Sequence, residues 1–147
     1  MKQRINAFEK STGALQALRP LGSYLAKSSI ERSLLNLIQY RVSQINGCAF
    51  CLNMHSADAR KMGETEKRIY CISAWRECTF YTDAEKGALE LTEYVTLIPT
   101  KRVPDELYQR VRDHFDEKQY VDLILIINQI NNWNRISISM GNIATEK

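Results

Sequence analysis

Proline and glycine are scarce in this chain, 3 and 6 among 147 residues. That scarcity excludes collagen-like and low-complexity organisation and argues against a turn-dense all-β fold. An excess of charge of one sign is also missing. Lys and Arg total 20 against 17 Asp and Glu, a formal net charge of +3, and no basic cluster stands out. A nucleic-acid binder concentrates its cations in a stripe or patch, so no nucleic-acid partner is expected. Long apolar runs are lacking too. The most apolar stretch, 121–130, is interrupted by Asp122, Asn128 and Gln129, whereas a membrane span needs about 20 apolar residues. No apolar run follows the charged segment 1–10, so no signal peptide is read there. The expectation is a soluble, cytoplasmic protein with no membrane partner.

What is present is an ordinary globular balance, 44% hydrophobic and 25% charged, over a length that suits one domain spanning 1–147. Apolar residues recur at helical spacing. Ile30, Leu34, Leu37, Ile38 and Ile45 predict a helix over 30–45, with Ser28 or Ser29 as its cap. Asn46 is read as the N-cap of a next helix that ends near Gly63. A third helix is expected over 66–78 behind Thr65. A fourth opens on the capping-box pattern of Thr82 and Glu85 and stops at Pro99. Pro104, Asp105 and Glu106 start a short fifth. Tyr120, Leu123, Ile124, Ile127 and Ile130 predict a last helix over about 117–140, ended by Gly141. The run 135–140 also alternates with period two, but it continues the helical pattern and is read as helix. A further helix over 11–27 is expected to be broken by Pro20 and Gly22. The fold class is all-α, a bundle of about six to seven helices whose apolar faces call for self-association.

The four cysteines divide by position. Cys48 and Cys51 form a C-x-x-C pair, and without a signal peptide such a pair reads as redox or metal chemistry before it reads as a staple. On a helix, Cys48, Cys51 and His55 fall at i, i+3 and i+7, within about 60° of arc, so both sulfurs and the imidazole share a face. A helix N-terminus and a neighbouring histidine both favour thiolate. The dipole favours Cys48 as the more acidic thiol, and proximity to His55 favours Cys51. Cys51 is assigned as the group that attacks peroxide and Cys48 as the one that resolves the sulfenic acid to a disulfide. An exposed Cys48 would also offer an external thiol reductant its point of attack. Cys71 and Cys78 are read as small buried hydrophobes, and His114 as a solvated surface residue.

Zinc is the rival chemistry. Cys48, Cys51 and His55 supply three ligands where structural zinc takes four, and no spacing prompts Cys71 or Cys78 as the fourth. The site reading therefore assigns no resident metal and no cofactor. The alternative function, from a different class, is a non-catalytic redox sensor or a zinc-binding interaction module on the same helix. On the preceding helix, Asn36, Tyr40 and Ser43 line one polar face, either solvated or an active-site wall. Phe50 and Tyr40 are expected to shape the pocket.

The run from Arg41 through Ser43, Gln44, Ile45, Asn46 and Gly47 into Cys48, Ala49, Phe50 and Cys51, and on to His55, resembles the carboxymuconolactone decarboxylase family in its AhpD-like alkylhydroperoxidase branch. The likeness extends through 63–68, 74–77 and 82–89, and through Ile127 to Arg135, so that it covers most of 30–141. The resemblance implies an all-α fold assembled as trimers or hexamers. It also implies a peroxidase or disulfide-reductase centre of the two cysteines and the histidine, with the second cysteine attacking a hydroperoxide or disulfide substrate. The decarboxylase branch lacks the cysteine pair, so decarboxylation is not implied. One departure stands out. Where the redox branch usually has a relay glutamate, twelve residues before the first cysteine, this chain has Asn36, whose amide cannot accept a proton at neutral pH.

Overall fold

The computed structural model describes residues 2–146 and is helical throughout its regular structure. In chain order the elements are α1 (Ala7–Lys10), α2 (Thr12–Leu25), α3 (Arg32–Asn46), α4 (Ala49–Lys61) and α5 (Glu66–Cys71). A 3₁₀ segment (Ile72–Glu77), α6 (Asp83–Thr96), α7 (Asp105–Arg112) and α8 (Glu117–Met140) follow. The caps show why these stretches start where they do. Thr65 Oγ1 accepts from the Arg68 amide. Thr82 and Glu85 form the expected capping box, and Asp116 with Gln119 forms a second one at the head of α8.

Helix α3 is the central element and packs against α4, α6 and α8. Its buried stripe of Leu34, Ile38 and Val42 meets Leu91 of α6 and Ile126, Ile127 and Ile130 of α8 in the main core. Each such side chain, removed from water, contributes roughly 1.5–3 kcal/mol. A second cluster holds Leu37, Ile72, Trp75, Tyr81 and Leu89.

Four expectations need correction. The segment 11–27 is not broken: α2 runs continuously through Pro20. Pro20 and Gln16 are both exposed, so solvent can satisfy the carbonyl that the missing proline N–H leaves free. Gly22 does not bend it either: it sits within α2 beside Gln129 of α8, whose flexible side-chain end, Nε2, would lie 2.8 Å from an added Cβ. Next, α3 begins at Arg32 behind Glu31, which makes no side-chain cap bond, while Ser28 Oγ accepts from the Ile30 amide in the preceding turn. Third, the helix expected over 66–78 changes type after Cys71. The 3₁₀ segment is kinked at Ala74 (φ -114°, ψ 27°), and Ile72 and Trp75 on either side of the kink both enter the second cluster. Fourth, Asn46 caps nothing. It is the last residue of α3, and the next helix is capped by Cys48. The run 135–140 is helical as expected, inside α8, and among the described residues no helix is long and apolar enough to cross a membrane.

Candidate functional site

The turn between α3 and α4 sets the site. Gly47 closes α3 in the left-handed region at φ 68°, and the Cys48 amide returns to the Ser43 carbonyl at 3.0 Å. This is the Schellman arrangement that glycine adopts without a Cβ penalty. The Asn46 amide is held by side chains of α8: its Nδ2 donates to Asn131 Oδ1 at 2.9 Å and Asn134 Oδ1 at 3.0 Å. Asn134 Nδ2 in turn donates to Ser43 Oγ. A buried amide network therefore fixes the chain two residues before the C-x-x-C pair, and it explains why Asn46 is unavailable as a cap.

Cys48 takes that role. Its Sγ accepts from the Cys51 amide at 3.4 Å, and the two sulfurs are joined as a disulfide with Cα atoms 5.3 Å apart. The buried stripe of α4 consists of Cys48, Cys51, His55 and Ala59, all at most 5% exposed. A helix that buries two sulfurs, an imidazole and a methyl group, while exposing Phe50 and Met54, departs from the usual apolar stripe.

Cys51 and His55 lie in the wall of a cavity of about 420 Å³, along with Phe50, Met54, Trp133 and Ser137. That is the size of a small-molecule site. Cys48, 1% exposed, does not line it. The expectation that an exposed Cys48 would receive the reductant is thus reversed, because capping the helix places its sulfur inside. Cys51 is the sulfur that faces the cavity.

Burial pushes the His55 pKa down to about 4, against a smaller opposing pull from Asp58. Neither ring nitrogen has a hydrogen-bond partner among the described residues. The imidazole is therefore held neutral at pH 7 in this disulfide form, where no thiolate stands beside it to draw a proton onto the ring. Its linkage to stability follows from that shift. The unfolded chain, with His near 6.5, binds more protons between pH 6.5 and 4, so this contribution is intact above pH 6.5 and is lost as the pH falls through 4. The loss amounts to roughly 3 kcal/mol at 1.36 kcal/mol per pKa unit. Denaturant titrations across this window should show that loss in the natural chain and not in His55→Leu. Parallel pH profiles would mean that His55 protonates in place.

Asn36 and Ser43 are buried, at 4% and 0% exposure, so the polar face of α3 is not solvated. Asn36 does not open onto the main cavity. It lines a small pocket with Ala59, one turn beyond His55, and its Oδ1 has no partner among the described residues. Tyr40 packs on the second cluster instead of shaping the cavity. Gln39, which the sequence reading passed over, stands in the cavity wall. Its place between Asn36 and Ser43 on the polar face of α3 was the available signal. Trp133 and Ser137 were also missed as site residues, since nothing local in α8 distinguishes them.

Cys71 and Cys78 are partly exposed free thiols rather than buried hydrophobes. Loss of hydration and the adjacent Cys71 thiol hold Cys78 above the ordinary thiol value, which disfavours thiolate there. His114 is exposed, as expected. Among the described residues, no three His, Cys, Asp or Glu side chains are gathered to hold a metal ion.

The carboxymuconolactone decarboxylase family model matches residues 13–94. YdfG of Bacillus subtilis is 61% identical over 147 residues, the full length of both chains. A crystal structure from Agrobacterium tumefaciens, of a protein put forward as the antioxidant defence protein AhpD, superposes with a TM-score of 0.95. It is 36% identical and is matched over 99% of this chain and 100% of its own. The debrominase Bmp8, solved as a cysteine-to-alanine variant with 2,3,4-tribromopyrrole, gives a TM-score of 0.85 at 18% identity, covering 95% of this chain and 74% of that one. At that identity the likeness is one of fold.

Proposed function

The chain belongs to the carboxymuconolactone decarboxylase family, and from that premise and its cysteine–histidine site we propose that it is a thiol-dependent peroxidase of the AhpD-like kind. The observation that carries this reading is that Cys51 and His55 share the wall of a ligand-sized cavity while Cys48 lies behind, bonded to Cys51. The antioxidant-defence assignment of the Agrobacterium relative supports it.

The disulfide is the oxidised end of the cycle. In the reduced protein His55 takes the Cys51 proton, and the thiolate attacks the terminal oxygen of a hydroperoxide. The O–O bond breaks, the alkoxide recovers the proton as an alcohol, and Cys51 becomes a sulfenic acid. The Cys48 thiol then displaces water to form the disulfide. An external dithiol restores the pair: its thiolate attacks Cys51, the sulfur facing the cavity, and expels Cys48 as a thiolate at a helix N-terminus. Such a site stabilises the leaving group. The dithiol leaves oxidised. The working form in this reading is a homo-oligomer, trimeric or hexameric, in the cytoplasm.

The test is a thiol count. One equivalent of cumene hydroperoxide added to the reduced protein, which starts with 4 thiols, should remove two of them, link 48 to 51 and release one alcohol. Continued turnover should follow with a dithiol. Oxidation that no dithiol reverses would instead identify a one-shot sensor. Prior loss of Cys71 and Cys78, or about one zinc per chain, would overturn the assignment.

A further inference from the structure

Four buried side-chain polar atoms lack a hydrogen-bond partner among the described residues: Asn36 Oδ1, both ring nitrogens of His55, and Ser137 Oγ. Three of the four belong to side chains in the wall of one cavity, the one that exposes Cys51. Buried polar groups in proteins are normally paired, so this concentration calls for a partner that enters the cavity. Ser137 is the less expected member. A serine inside a helix commonly returns its hydroxyl to the carbonyl four residues earlier. Thr92 does this on α6, donating to the Ala88 carbonyl at 2.7 Å. Ser137, at 5% exposure, does not.

The surroundings define what it would meet. Phe50, Met54, Ile130, Trp133 and Ile136 give the cavity an apolar lining. Phe8 of α1 stacks on Trp133 with ring centroids 6.4 Å apart and planes 11° from parallel. No Asp or Glu lines the cavity, and the one Lys or Arg in its wall, Arg19, lies over the Phe8 ring with its guanidinium carbon 5.6 Å from the centroid. A volume of about 420 Å³ exceeds the roughly 150 Å³ that suffices for benzene. The space fits an uncharged group of one ring, with its oxygen end turned to Cys51, His55 and Ser137.

We propose that Ser137 holds the leaving oxygen of an organic hydroperoxide whose apolar group rests against Trp133. This rests on the peroxidase reading. During attack by Cys51 the O–O bond breaks and negative charge grows on the oxygen bearing the organic group. The Ser137 hydroxyl donates to that oxygen without giving up its proton. The proton that completes the alcohol comes from His55, which received it from Cys51. Donors aimed at a developing oxyanion act this way in general.

Two measurements separate this role from the peroxidase reading itself. The first is binding of 2-phenylpropan-2-ol, the unreactive alcohol of cumene hydroperoxide, to the disulfide form by calorimetry. Ser137→Ala should weaken it about tenfold, and Ser137→Thr, which keeps the hydroxyl, should restore most of it. The second is the rate of Cys51 oxidation by cumene hydroperoxide in the reduced protein. It should fall about tenfold or more in Ser137→Ala with an unchanged unfolding midpoint. Altered alcohol binding with no peroxide reaction in any variant would retain Ser137 as a ligand anchor and remove the peroxidase. Unchanged binding and rate in Ser137→Ala would overturn the proposal while leaving the peroxidase standing. A rate loss that Ser137→Thr fails to recover, with a lowered midpoint, would make Ser137 a packing residue and also overturn it.

Discussion

Replacing Cys51 by serine should lower the rate of hydroperoxide reduction by at least about three orders of magnitude, because a hydroxyl lacks the accessible anionic form of a thiol. Cys48→Ser should behave differently. The first oxidation persists, one equivalent of alcohol appears, and turnover then stops with a sulfenic acid on Cys51 that dimedone traps. The two variants separate cleanly because serine preserves the fold at position 48. Cys48 is the N-cap of α4 and accepts from the Cys51 amide, a task that serine performs well. Loss of activity in Cys48→Ser therefore reports resolution chemistry rather than an unwound helix. Mass spectrometry of the dimedone adduct decides the assignment. An adduct on Cys48 in Cys51→Ser, formed at the natural rate, would exchange the two roles.

Much of the architecture was legible because it rests on local rules. The capping box of Thr82 and Glu85 and the cap at Thr65 each follow from spacing within a few residues, and each is found; of the stripe expected over 30–45, Leu34, Leu37 and Ile38 are buried on α3, whereas Ile30 precedes the helix and Ile45 is half-buried. What escaped was decided by contacts distant in sequence. Asn46 looks like a cap, but α8 claims its amide through Asn131 and Asn134, 85 and 88 residues away. Pro20 looks like a break, but exposure makes it tolerable. The Cys48, Cys51 and His55 face was readable from helical periodicity alone. That Cys48 would be the hidden sulfur was not, since that depends on the Schellman turn and on what packs over it. Ser137 could not be singled out at all: an unpartnered hydroxyl is a property of the packed cavity, and the sequence around it is an ordinary helix.

Asn36→Glu should raise the His55 pKa from about 4 and speed the reaction of Cys51 with peroxide. The pocket that holds Asn36 reaches Ala59, the next residue on the buried stripe of α4 after His55. A carboxylate is one methylene longer and carries charge, and a negative charge near the ring favours imidazolium. The fold already shows what an inward carboxylate requires. Burial works to raise the Glu93 pKa, yet hydrogen bonds from Trp75, Arg76 and Arg41 more than offset it and leave that pKa lowered. Position 36 has no such cradle. Arg32 and Lys61 line the adjoining groove, but so does Asp58, and Glu64 lines the small pocket. With two cations and two anions among the residues that line these pockets, the new carboxylate is expected to pair with a protonated His55. The strain of burying it should lower stability by about 1–3 kcal/mol, and the gain in rate should sit near the lower end of the ~10²–10⁴-fold typical of general acid–base catalysis. The pH dependence of Cys51 alkylation, measured with and without Asn36→Glu in a Cys48→Ser background, reads the effect without interference from the second thiol. A midpoint that moves with the substitution places position 36 in contact with the proton path. Superimposable profiles alongside the stability loss would show a carboxylate buried too far from the ring to act on it.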